Sequence, residues 1–116
     1  FYSIEYSYRI GNHQRQRSFN PDFFIKCKKG KEVIYLVVEI KSDRDISIEN
    51  KAKYKYGKLH FEELNNKLKI IGKNEKYIFH FLSPDGYPAF FKYLEEGKIF
   101  ENQEVFRCDL ENLLEE

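Results

Sequence analysis

Apolar and polar residues follow three different spacings along this chain, and each spacing predicts a different element. From Phe1 to Ile10 they alternate, with Tyr2, Ile4, Tyr6, Tyr8 and Ile10 on one side, the period of a half-buried strand. Gly11-Asn12-His13 supplies a turn. Residues Gln14 to Ser18 extend a second strand that is most clearly written from Phe19 to Lys28. Lys28-Lys29-Gly30-Lys31 then folds the chain back into the continuous apolar run Val33 to Lys41. Three consecutive antiparallel strands in a meander are the expectation.

Beyond Lys41 the period changes. Ser42 to Ser47 is rich in turn and cap formers and reads as a loop. A long helix is predicted from Ile48 to Ile71, with Ser47 or Asn50 as N-cap and Gly72 as terminator. Its expected core stripe is Ala52, Tyr56, Leu59, Phe61, Leu64, Leu68 and Ile71, at intervals near three and four. Glu75 to Leu82 is a further strand, free to add in parallel because a helix crossover precedes it. Pro88 to Gly97 reads as a short helix, Phe100 to Cys108 as a final short strand, and Leu110 to Leu114 as a tail helix packed by its leucines. The fold class is α/β (α+β), a mixed sheet around one long helix.

Composition narrows this only slightly. At 116 residues the chain suits one domain with a real core, with no linker or repeat to divide it. It has no Met and starts inside strand-like sequence, which reads as a fragment of a longer protein. The two cysteines, Cys27 and Cys108, lie far apart and suit free thiols in a reducing cytoplasm. No stretch approaches the roughly 18 apolar residues of a membrane span. Twenty Lys and Arg against nineteen Asp and Glu give a net charge of +1, which does not announce a nucleic-acid binder. The basic residues nevertheless concentrate between Arg9 and Lys58, including Arg15 and Arg17, while the tail from Leu94 is acidic.

Candidate chemistry enters at the end of the apolar run Val33 to Lys41. Glu39 and Lys41 are two apart on a strand, so they emerge on one face while Ile40 points away. Hairpin pairing brings Asp22, at the start of the preceding strand, beside them. Two carboxylates that close repel unless a hard cation lies between them, and Mg²⁺ takes one or two carboxylates together with phosphate oxygens. Lys51, Lys55 and Lys58 follow helical spacing near the start of the long helix and are candidates for contacts to a DNA backbone. A solvated face salt-bridged to Glu62 and Glu63 accounts for them equally well.

Pro21-Asp22, sixteen residues, then Glu39-Ile40-Lys41 ending an apolar strand before a long helix resembles the PD-(D/E)xK nuclease superfamily. The words Phe19 to Phe23, Val37 to Lys41 and Asn50 to Lys55 are similar to the C-terminal endonuclease domain of type III restriction enzyme Res subunits and related DEAD/DEAH-box helicase-like proteins. The resemblance covers about residues 15 to 82 and implies a restriction-endonuclease-like fold. It implies Mg²⁺ (or Mn²⁺) held by Asp22, Glu39 and the Ile40 carbonyl, with Lys41 orienting or deprotonating the attacking water. It implies double-stranded DNA as substrate, ATP used only by a helicase domain outside this chain, and room for a methyltransferase partner subunit. It also implies a preceding helix with another acidic ligand, which would lie before Phe1.

The plainer accounts are a turn residue for Asp22 and an edge-strand ion pair for Glu39 and Lys41. A binding module that kept the fold without turnover, or a protein-protein module using the acidic tail, are the alternatives to an endonuclease. His13, His60 and His80 lack ligand spacing and read as packing or surface residues. Tyr54 and Tyr56 are the candidates for stacking on a base or sugar.

Overall fold

Pro21 decides how the first half of the chain divides. It lacks an N–H for a ladder, and in the computed structural model, which describes residues 2–101 and 106–115, it separates two hairpins. Strands β1 (Ile4–Ile10) and β2 (His13–Phe19) pair antiparallel as a two-stranded ribbon. Strands β3 (Phe23–Lys29) and β4 (Glu32–Ile40) pair antiparallel in a separate sheet, which β5 (Glu75–Leu82) joins in parallel beside β4. The single strand expected across residues 14–28 is therefore two, and the meander is broken between them. The mixed α+β architecture is compatible with a restriction-endonuclease-like fold.

Helix α1 (Ile48–Ile70) makes the crossover from β4 to β5. Ser47 caps it by accepting from the Asn50 N–H at 3.1 Å, and Gly72 ends it with φ +76°. The face it buries is Asn50, Tyr54, Gly57 and Phe61. That differs from the expected stripe: Leu59 and Ile71 are exposed, whereas Ala52, Tyr56 and Leu64 pack at the margin of the core. The reason is Gly57. An added Cβ there would come within 2.4 Å of the Phe79 ring, so the helix axis lies unusually close to β5 and turns Gly57 inward. Phe61 stacks on Phe79 with centroids 5.6 Å apart.

Helices α2 (Tyr87–Glu95) and α3 (Asp109–Leu114) complete the fold, with short 3-10 turns at Pro84–Gly86 and Lys98–Phe100. As expected, α3 packs by its leucines, Leu110 and Leu114 being buried. Of the last strand expected from Phe100 to Cys108, residues 102–105 lie outside the described residues, and 106–108 have no regular structure. The free edge of β5 is closed in part by Asn65, whose amide accepts from the Tyr77 N–H and donates to the Tyr77 carbonyl, both at 2.7 Å. Cys27 and Cys108 are free thiols. Among the described residues, no helix is long and apolar enough to cross a membrane.

Candidate active site at the end of the central strand

The register Phe23↔Val38, continued one step, sets Asp22 across from Glu39. Asp22 is exposed just outside β3, and its Oδ2 accepts from the Ile40 N–H at 2.8 Å, fastening the strand start to the neighbouring strand end. Lys41 continues the ladder on the other side, donating its N–H to the Leu82 carbonyl at 3.0 Å. Glu39 therefore sits on a segment fixed by both neighbours, only 6% exposed.

Its side chain is electrostatically unsettled. Burial pushes the Glu39 carboxyl above its ordinary range, and the Asp22 charge pushes it further, while Lys41 and Lys53 pull the other way. Oε2 lies 3.5 Å from the Lys41 ammonium, but Oε1 is buried with no hydrogen-bond partner. An orphaned buried carboxylate oxygen is costly unless something with positive charge or a proton completes it. The structure thus brings Asp22, Glu39 and Lys41 together.

A fourth group at this place is absent from the sequence expectations. Lys53, half-buried on α1, carries its Nζ 5.6 Å from the Tyr6 ring centroid and 5.7 Å from that of Phe19. Burial first, then Lys41, lowers its pKa, and Glu39 and Glu49 oppose that shift. Glu49, in the first turn of α1, accepts from the Tyr6 hydroxyl, which draws its carboxyl below the ordinary range; Arg17 lies 4.0 Å away. The signal that finds Lys53 is positional: it stands four residues before Gly57 and eight before Phe61, a cation on the inward stripe.

The helix lysines separate. Lys51 and Lys55 are exposed, and Lys55 lies 6.0 Å from the Tyr56 ring. Lys58 turns to the C-terminal helix, pairing with Glu115 at 3.0 Å above the Tyr54 ring. Tyr54 is buried and donates to Glu111 at 3.0 Å, which removes it from any stacking surface. Tyr56 hydrogen-bonds Ser7 at 3.0 Å.

A second buried polar cluster lies at the edge of β5. Glu111, 1% exposed, accepts from Tyr54 and from the Cys108 N–H at 3.3 Å, and His80 Nδ1 stands 3.0 Å from it. The Glu115 carboxyl beside it is pulled down to about 2, chiefly by Arg107.

Among the described residues, no group of three or more His, Cys, Asp and Glu side chains is arranged to hold a metal ion. Two carboxylates and a peptide carbonyl suffice for Mg²⁺, which keeps several waters and needs no all-protein cage. The orphaned Glu39 Oε1 and the Asp22 charge beside it fit that donor set.

The model of one family, described as TnsA-like endonuclease N terminal, matches residues 1–73. It is a restriction-endonuclease-like PD-(D/E)xK family, and the matched span includes Asp22, Glu39, Lys41 and Lys53. No curated protein and no solved structure matches the chain.

Proposed function

The chain belongs to the TnsA-like endonuclease N-terminal family, and from that premise we propose that Asp22, Glu39 and Lys41 form the phosphodiester-cleaving site of a DNA endonuclease domain. The observation that carries this is the buried Glu39 carboxylate, one oxygen unpartnered, between Asp22 and a lysine 3.5 Å away. A buried carboxylate oxygen with no donor, set beside a second carboxylate, is what a cation would complete.

Asp22, Glu39 and the Ile40 carbonyl are the groups that would hold Mg²⁺ or Mn²⁺. When bound, the cation supplies polarisation of a phosphate oxygen and a more acidic water. The Ile40 N–H keeps the Asp22 carboxylate turned to the end of β4. Lys41 orients the attacking water or offsets charge growing on phosphorus. Lys53 faces the same place from α1 and holds the scissile phosphate, while Lys51 and Lys55 contact the backbone further along.

A finer placement is the cutting module of a type III restriction or helicase-like protein, with ATP used outside this chain and a methyltransferase partner subunit. It is supported by the local words Phe19 to Phe23, Val37 to Lys41 and Asn50 to Lys55 alone. Plasmid cleavage with Mg²⁺ or Mn²⁺ tests the activity in the full protein. Asp22→Ala and Lys41→Ala should each cut at least about 100-fold more slowly. Undiminished cutting by either variant would remove the assignment. Metal-independent DNA binding without cutting would favour the inactive module instead.

A further inference from the structure

The ribbon of β1 and β2 packs through its inner half, with Tyr8 stacked on Tyr6 at the margin, while β2 short of Phe19 is exposed. Ile4, Tyr6 and Phe19 are buried against α1, yet all six residues from His13 to Ser18 are exposed, as is Ile10 at 54%. A two-stranded ribbon is only marginally stable by itself, so an outer strand exposed over six consecutive residues suggests a surface that serves another molecule.

Register shows what that surface presents. Tyr6 pairs with Arg17, Tyr8 with Arg15 and Ile10 with His13, so Arg17, Tyr8, Arg15 and His13 share one face. The inner end of that same face is the pair of rings beneath the Lys53 ammonium. Glu5, the ribbon's only acidic residue, pairs with Ser18 on the opposite face. Over residues 4–19, three arginines against one glutamate leave a net +2. From Tyr6 to Ile10 the face runs roughly 13 Å outward from the site at strand rise, about four base-pair rises along the axis of a DNA duplex.

We infer that the outer half of the β1–β2 ribbon is a double-stranded DNA grip, with Arg15 and Arg17 on the phosphates flanking the one held at Lys41 and Lys53. The inference rests on the endonuclease reading for its substrate and adds the surface that binds it. A second copy pairing along β2 is the competing occupant. Charge disfavours it, because an edge carrying Arg15 and Arg17 repels its own duplicate. Duplex DNA complements the same charge, and a two-stranded ribbon fits its major groove.

Binding to a fluorescein-labelled duplex oligonucleotide, followed by anisotropy with EDTA present, separates this from catalysis. Arg15→Glu should weaken binding by about tenfold or more and make the salt dependence shallower by about one unit. Lys31→Glu, the same charge change in the exposed β3–β4 turn at the far end of β4 from Glu39, should cost less than about twofold. Arg15→Gln should fall between them, with thermal melts of all three matching the parent protein. Equal losses from Arg15→Glu and Lys31→Glu, or none from Arg15→Glu, overturn the grip. So does a sedimentation shift from dimer to monomer in Arg15→Glu. Asp22→Ala should still bind through Arg15; a protein that binds this way but never cuts refutes the cleavage site and leaves the ribbon standing.

Discussion

Two glutamates in this molecule are buried nearly to the same depth, and they are treated in opposite ways. Glu111 is met by the Tyr54 hydroxyl, the Cys108 N–H and His80, so its oxygens are all engaged. Glu39 has an orphaned Oε1, a second carboxylate beside it and a pKa displaced upward first by burial and then by Asp22. The same helix serves the two: Lys53 adds its positive charge to the surroundings of Glu39 while its neighbour Tyr54 donates to Glu111. Burial of charge is therefore no sign of a site. The Glu111 cluster also leaves one buried atom open, His80 Nε2, but both oxygens of its carboxylate are engaged. What distinguishes the site is an open carboxylate oxygen with a second carboxylate beside it, a cost that a folded protein keeps where something positive is to bind.

The largest effects should come from swapping the two glutamates' amides. Glu39→Gln removes a charge that burial and Asp22 disfavour, so the melting temperature should hold or rise while plasmid cleavage falls by about 10²-fold or more. Glu111→Gln puts an N–H₂ donor among donors. It should cost about 1–3 kcal/mol in urea melts, with cleavage reduced only in proportion to the folded fraction. If Glu39→Gln proves the less stable of the two, the contrast is backwards.

Gly57→Ala should damage both clusters together. Its Cβ would stand 2.4 Å from the Phe79 ring, so α1 must lift from β5 and carry Lys53 and Tyr54 with it. Overpacking costs about 1–3 kcal/mol, against which the helix propensity of Ala returns up to about 1 kcal/mol. Stability and cleavage should fall in parallel, unlike either glutamate variant. The same glycine explains what was legible in the sequence. Strand periods, the Ser47 cap, the Gly72 stop and the pairing of Asp22 with Glu39 depend on local chemistry and a hairpin register, and these can be read along the chain. The inward face of α1 depends on how closely a helix approaches a strand some twenty residues further on. A glycine with no side chain to register hides that approach, so apolar spacing points to Leu59 and marks neither Gly57 nor Lys53. The split at Pro21 was legible in principle, since a proline in a strand interior argues against a continuous strand.

The smallest effect concerns pH, and it separates two carboxylates by sign. Glu115 is held down to about 2 by Arg107 and Lys58, so its stabilisation is present above the ordinary Glu value of 4.5 and is lost as pH falls from there toward 2. Glu39 is raised above 4.5, so the folded state binds its proton more tightly than the unfolded chain does. Between 4.5 and the raised value the folded state carries the extra proton, and stability must decline as pH rises through that window. The two contributions thus lie on opposite sides of 4.5 and do not mask each other. Urea melts of the parent protein minus those of Glu39→Gln isolate the upper window, since Glu115 is common to both. That difference should fall with rising pH in EDTA and flatten when Mg²⁺ is added, because a cation on the carboxylate replaces the proton. A difference that stays level in EDTA would mean that neither burial nor Asp22 burdens Glu39, and the contrast with Glu111 would lose its physical cause.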